Sequence, residues 1–131
     1  MTDLTAFLHS LPVFASLNVA QAAELASAAR MRDYARGELV VLEGERAQAA
    51  YWVVSGQVRV VKLSPTGREQ VLDRLGSGEA LNLVPVFDGG PNPASAEAVN
   101  AARLCVLPVS ALREAVRRHP AVAEAMLADM A

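Results

Sequence analysis

Residues 36–81 read RGELVVLEGERAQAAYWVVSGQVRVVKLSPTGREQVLDRLGSGEAL, and this stretch decides the fold class. Short segments rich in Val, Leu, Tyr and Trp are punctuated by Gly37, Gly44, Gly56 and Gly67. β-Branched and aromatic side chains suit a pleated backbone, and glycine marks the corners between strands. The pattern predicts strands over 39–42, 49–54, 57–63 and 68–75, preceded by one over 31–35. Ser64-Pro65-Thr66-Gly67 has Ser at i, Pro at i+1 and Gly at i+3, which suits a type I turn closing a hairpin. Val58 and Val60 alternate with Gln57 and Arg59, but Val61 breaks the period. A bulge and burial on both faces are the two alternatives there. No gap within the block can hold a crossover helix, so a parallel doubly wound sheet is excluded.

The next stretch, Gly76–Ala98, reads GSGEALNLVPVFDGGPNPASAEA and keeps no period of 2 or 3.6. Glycines stand at 76, 78, 89 and 90 and prolines at 85, 91 and 93. Such a stretch in a compact domain is either a binding loop or a structural loop with a helical turn that closes a sheet edge. Two further strands are expected beyond it, over 96–99 and 103–107.

Outside the strands the period returns to 3.6. Apolar residues at 4, 7, 8, 11, 14 and 17 predict a helix to about Ser10 and a turn at Pro12. Asn18 and Gln21 form a capping box for a helix from Val19 to about Arg30, whose face of Ala22, Leu25, Ala26 and Ala29 suits close packing on a sheet. Val109, Leu112, Ala115 and Val116 mark a helix ending near Arg118-His119. Pro120 opens a last one, with Val122, Ala125, Met126 and Met130 on one face as it runs into Ala131 without a stop signal. That stripe packs either on its own domain or on a second subunit. The fold class is therefore α+β, with a β-sandwich or roll at its centre. One domain spans 1–131: helices over 1–30, the roll over 31–108, and helices over 109–131.

Composition narrows the function. The formal charge is −2 from 14 acidic and 12 basic residues, and Arg113, Arg117 and Arg118 are the nearest approach to a basic stripe. That is not the footprint of a DNA-binding surface. Cys105 is the only cysteine and lies in the apolar run LCVLP, as a buried small hydrophobe would. MTDLTAF carries an acid where a secretory signal needs a positive charge, and no run of 18 apolar residues occurs. A soluble, cytoplasmic protein without a membrane span is expected.

Catalytic chemistry finds few residues. His9 and His119 are far apart in sequence, each near a helix end, so neither a metal site nor a cofactor is expected. No Ser/His/Asp or Cys/His context occurs, and Glu69 and Asp73 suit a solvated strand face. No catalytic residue is assigned and the chain reads as no enzyme. The glycines of 76–98 match neither GxGxxG nor a P-loop. The same stretch carries Glu79, Asp88 and Glu97 but no cation, with Arg74 and Arg103 just outside it. A phosphate bound there lacks compensation. An uncharged or apolar ligand, or none, fits better.

Taken together, residues 36–81, the irregular stretch, and AEAVNAARLCVLPVSALREAVRRHPAVAEAML resemble the N-terminal sensory domain of the CRP/FNR family of bacterial transcription regulators. The ordered set Gly37-Glu38, Glu43-Gly44, Ser55-Gly56, Gly67, Gly78-Glu79, Ala96 to Ala98 and His119-Pro120 carries the resemblance. It implies a cyclic-nucleotide-binding β-roll, a double-stranded β-helix or jelly roll with flanking N- and C-terminal helices. It also implies a glutamate for the ribose at about position 83 and an arginine for the cyclic phosphate at about 93, where this chain has Leu83 and Pro93, followed by Ala94-Ser95. The family's iron–sulfur branch needs several cysteines, and its haem branch an axial ligand such as His9 or Met31; neither reading is adopted.

The candidate pocket is Gly78, Glu79, Leu81, Leu83, Val84, Phe87, Pro93, Ala94 and Ser95, for an unknown small-molecule effector or none. The candidate homodimer face is Val122, Ala125, Met126 and Met130. DNA contact is expected only through a C-terminal winged helix-turn-helix domain that is not among these 131 residues. The leading reading is thus an effector-sensing and dimerisation domain of a CRP/FNR-like regulator whose ligand is not cAMP. The alternative is a stand-alone β-roll that serves protein interaction without DNA binding.

Overall fold

A computed structural model describes residues 3–130, so the expected passage of the last helix into Ala131 lies outside the described residues. Helix α1 (Leu4–Ser10) starts where the Asp3 carboxylate accepts the Thr5 N–H at 3.0 Å. A 3₁₀ turn at Pro12–Phe14 leads to α2 (Val19–Ser27). The capping box forms as expected: Asn18 Oδ1 accepts the Gln21 N–H at 2.8 Å and Gln21 Oε1 accepts the Asn18 N–H at 2.9 Å. Two expectations for α2 are corrected. It stops at Ser27 rather than near Arg30, because Arg30 already pairs with Val106 in a sheet ladder. Its apolar face packs chiefly on α1 and on α4 (Val109–Arg118), not on a sheet.

Eight strands follow: β1 (Arg30–Tyr34), β2 (Leu39–Val41), β3 (Ala49–Ser55), β4 (Val58–Leu63), β5 (Glu69–Leu75), β6 (Ala80–Leu81), β7 (Ser95–Ala98) and β8 (Ala102–Pro108). They make two antiparallel four-stranded sheets, β1-β8-β3-β6 and β2-β7-β4-β5, that roll together without closing into a barrel. The β4–β5 hairpin closes through Gly67 N–H to Ser64 O at 2.9 Å. Its register shifts between Val60 and Val61, so the break in alternation is a bulge.

Alternation along β3 separates two cores. Val53 joins Tyr34, Leu81 and Leu104 between the sheets. Ala50 and Trp52 face the helices, in a cluster with Phe14, Leu107, Leu112 and Met126. Phe14 and Trp52 meet with ring centroids 5.4 Å apart and planes tilted by 58°, an aromatic pair beyond simple area burial. Each fully buried large apolar side chain in these clusters contributes about 1.5–3 kcal/mol of transfer free energy. Cys105 is fully buried in the helix-facing core, and burial pushes its thiol up to about 11.

At the β3–β4 corner Gly56 has φ +80°, and a Cβ there would lie 2.5 Å from the Ala101 carbonyl oxygen. Only glycine fits this corner, for both reasons.

Helix α5 (Pro120–Met130) follows α4 across His119. Its stripe divides. Val122 and Met126 are fully buried in the domain's own helix-facing core, whereas Ala125 is half-buried and Met130 exposed. Leu127, at 52% exposure, is the most open large apolar residue of this helix.

Candidate functional site

The irregular stretch enters from β5 through a tight turn in which Glu79 Oε1 accepts the Gly76 N–H at 3.0 Å. Gly78 N–H donates to Val53 O at 2.7 Å and Val53 N–H to Glu79 O at 3.0 Å, so both residues serve the edge of β3. Leu81 then enters the inter-sheet core. Asn82 follows with φ +75°, the one non-glycine residue in the left-handed region among the described residues. Asparagine tolerates that region better than other side-chain-bearing residues. The turn there carries Leu83 into the opposite, helix-facing core, where it is 6% exposed.

A short helix, α3 (Val84–Asp88), begins next, with Pro85 in its first turn lacking an N–H. Val86 is buried beside Leu83, while Val84 and Phe87 are 43% and 37% exposed. At its far end Arg113 of α4 donates from Nε to Val86 O at 2.9 Å and from Nη2 to Pro85 O at 3.2 Å. The guanidinium thus satisfies Val86 O, which the helix end leaves open, and shares Pro85 O with the Gly89 N–H, itself at 2.9 Å. Gly89 ends the helix at φ +69°, and a Cβ on it would come within 3.0 Å of Arg113 Nη2.

The return limb is tied down by Asn92, the one buried polar residue among those described. Its Nδ2 donates to Leu42 O at 2.9 Å and its Oδ1 accepts from Asn82 Nδ2 at 2.9 Å. The other Asn82 amide proton goes to Ala49 O at 3.1 Å. Backbone bonds complete the clasp: Asn92 N–H to Glu45 O and Gly44 N–H to Asn92 O, each 2.9 Å. After it Pro93 is exposed, Ala94 is buried, and Ser95 Oγ accepts the Glu43 N–H at 2.9 Å.

The nine candidate pocket residues therefore do not converge. Gly78 and Glu79 belong to the sheet edge, Leu81 and Leu83 to different cores, Val84 and Phe87 to an exposed helix face, and Pro93, Ala94 and Ser95 to the return limb. Two cavities flank the stretch, and none of the nine lines either one. A cavity of about 330 Å³ is bordered by β2, Arg46, Gln48, Tyr51 and Asn92. A second, of about 440 Å³, lies between Arg46, Gln48, Gly89, Gly90 and the start of α4. Asn82, Asn92 and Arg46 are not singled out by the sequence, and Arg113 figures there only in the nearest approach to a basic stripe. Pro91-Asn92-Pro93 does signal a turn, but no local pattern couples Asn92 to Asn82 or Arg113 to α3.

Charge around the stretch is already paired at several points. Arg103, one of the two cations just outside it, is held by Asp33 at 2.7 Å, and that guanidinium keeps the Asp33 carboxyl below the usual carboxylate range. Arg59 is neutralised by Glu97 and by Glu69, the latter at 2.6 Å. Among the described residues no helix is long and apolar enough to cross a membrane.

Comparison with known proteins agrees with this fold. The family profile of the cyclic nucleotide-binding domain matches residues 31–119. The chain is 31% identical over 99 residues to the CRP-like cAMP-activated global transcriptional regulator of Mycobacterium tuberculosis, covering 76% of this chain and 44% of that protein. It is similar in structure to the sensor domain of the transcriptional regulator DNR from Pseudomonas aeruginosa, with a TM-score of 0.87, 28% identity, and coverage of 96% of this chain and 85% of that one. The N-terminal domain of a transcriptional regulator from Streptomyces coelicolor A3(2) superposes with a TM-score of 0.77 and 32% identity, covering 95% of this chain and 87% of that one. The chain spans less than half of the full-length regulator and most of each isolated domain. These relatives are regulatory and sensor domains, not catalytic folds.

Proposed function

The chain belongs to the cyclic nucleotide-binding domain family, and on that premise we propose that it is the effector-sensing and dimer-forming domain of a CRP/FNR-like transcription regulator that does not anchor a cyclic nucleotide. The observation that carries the second half is the fate of positions 83 and 93. Leu83 is sealed in the helix-facing core and Pro93 lies on the surface, so neither supplies a polar anchor. Pro85 and Pro93 also lack the N–H groups that an anion recruits from a backbone loop. The polar groups of the stretch are used internally, through Asn82 and Asn92.

Self-association is proposed for the outer side of α5, where exposed Leu127 and Met130, three residues apart, share a face, with half-buried Ala125 on the other flank of the helix. Val122 and Met126 support that helix from inside. DNA contact belongs to a separate domain of the parent protein.

The test is calorimetric titration of the 131-residue chain with cAMP and with cGMP. No micromolar binding is expected, and micromolar binding of either nucleotide overturns the ligand part. Specific promoter binding by the parent protein supports the regulator part, and its absence under every condition refutes it.

A further inference from the structure

The 440 Å³ cleft beyond Gly89 has a character of its own. The charged side chains in its lining are Arg46 and Arg113, joined by Gln48 and Ser110, and no carboxylate lines it. Neither arginine forms an ion pair among the described residues. Arg113 is distinctive because it is half-buried. Arg59, the other half-buried arginine, faces two carboxylates, whereas Arg113 faces only the carbonyls of Pro85 and Val86. The nearby carboxylate of Asp88 is turned to the Gly90 N–H at 2.7 Å, and Glu45 lines the neighbouring cavity.

The walls are fixed rather than loose. Asn92 ties its backbone to Gly44 and Glu45, and Arg46 pairs with Pro91 in an isolated bridge, so the loop carrying Arg46 is held against the return limb. No side chain caps α4 at Pro108; the Val109 N–H goes to Gln48 O at 2.9 Å, and the Ser110 N–H of the same turn has no side-chain cap at the cleft.

We infer that this cleft, between the end of α3 and the start of α4, binds a small oxyanion, a phosphate or carboxylate, held between Arg46 and Arg113. Guanidinium groups match the planar, multidentate geometry of such anions. The volume falls within the range of small-molecule sites. The inference stands whether or not the chain also takes a cyclic nucleotide.

The test is an amide NMR titration of the whole chain with inorganic phosphate and, separately, with succinate, at constant ionic strength set by chloride. Saturable shifts are expected at Gly89, Gly90 and Ser110. Arg46→Gln, at an exposed position outside both cores, should weaken binding about tenfold, as loss of a charge-assisted contact does. Arg68→Gln on the β4–β5 hairpin should leave binding unchanged. Saturation by phosphate alone assigns a phosphoryl ligand, by succinate alone a carboxylate, and by both a general oxyanion site. Non-saturating shifts, shifts centred elsewhere, equal binding by Arg46→Gln, or equal weakening by Arg68→Gln would each overturn the site.

Discussion

The side-chain amide of Asn82 donates to Oδ1 of Asn92 at 2.9 Å, joining the two limbs of the irregular stretch on either side of α3. The same two side chains reach Ala49 O and Leu42 O, so the stretch is also tied to the chain on either side of the β2–β3 loop. The polar capacity of the site thus holds the loop together instead of facing solvent.

Removing either partner leaves buried groups unpaired, at about 1–3 kcal/mol. Asn92→Ala should therefore lower the melting temperature by several degrees. At position 82 the backbone adds a second cost, because φ is +75°. Asn82→Gly should be milder than Asn82→Ala by about 1 kcal/mol, since glycine adopts that region without strain. Denaturant unfolding of the three variants checks both the size and the order.

Gly56 offers a sharper case. With φ +80° and a virtual Cβ 2.5 Å from the Ala101 carbonyl oxygen, Gly56→Val meets strain and backbone overlap together. A loss of about 2 kcal/mol or more is expected. An unchanged thermal melt would show that the corner can reshape.

Restoring the family's charged anchors should fail, and unequally. Leu83→Glu places a carboxylate in the core beside Trp52 and Val86, which costs several kcal/mol unless it is neutralised (about 3 or more). Pro93→Arg changes an exposed residue and should leave the melt within about 0.5 kcal/mol of the starting protein. Calorimetry on the double variant is expected to show no cAMP binding; binding would mean that the anchors alone were missing.

Cys105 predicts an alkaline limit. Its thiol is raised from 9.0 to about 11 by burial, so the folded state keeps a proton that the unfolded state gives up. The unfolded state binds fewer protons in that window, and stability falls as pH rises from 9.0 towards about 11, by on the order of 2 kcal/mol in all. Below pH 9 the contribution is constant. Cys105→Ala, though less stable throughout, should lack this part of the slope in melts recorded across the window.

The two sides of α5 should respond differently. Met126→Arg buries a charge in the helix-facing core and should unfold the domain. Leu127→Arg, at a position 52% exposed, should preserve the fold and shift the protein towards monomer in sedimentation. Unchanged self-association in Leu127→Arg would place the dimer contact elsewhere.

Much of this molecule is written locally. The Asn18–Gln21 capping box, the Ser64–Gly67 turn and the succession of strands each arise from side chains acting on backbone a few residues away. Such signals survive in a bare sequence because propensity and turn chemistry are short-ranged. The lack of a cation between 76 and 98 is equally legible, since it is a matter of composition.

Tertiary structure decided the rest. Periodicity says that Val122 and Met126 share a buried face but not what covers it; only the packed domain shows them closed inside. Leu81 and Leu83 are two residues apart and enter different cores, because Asn82 turns the backbone between them. The Asn82–Asn92 clasp and the reach of Arg113 to α3 join residues 10 and 27 or more positions apart. Contacts of that kind leave no repeat in the sequence, for they depend on where whole strands and helices come to rest.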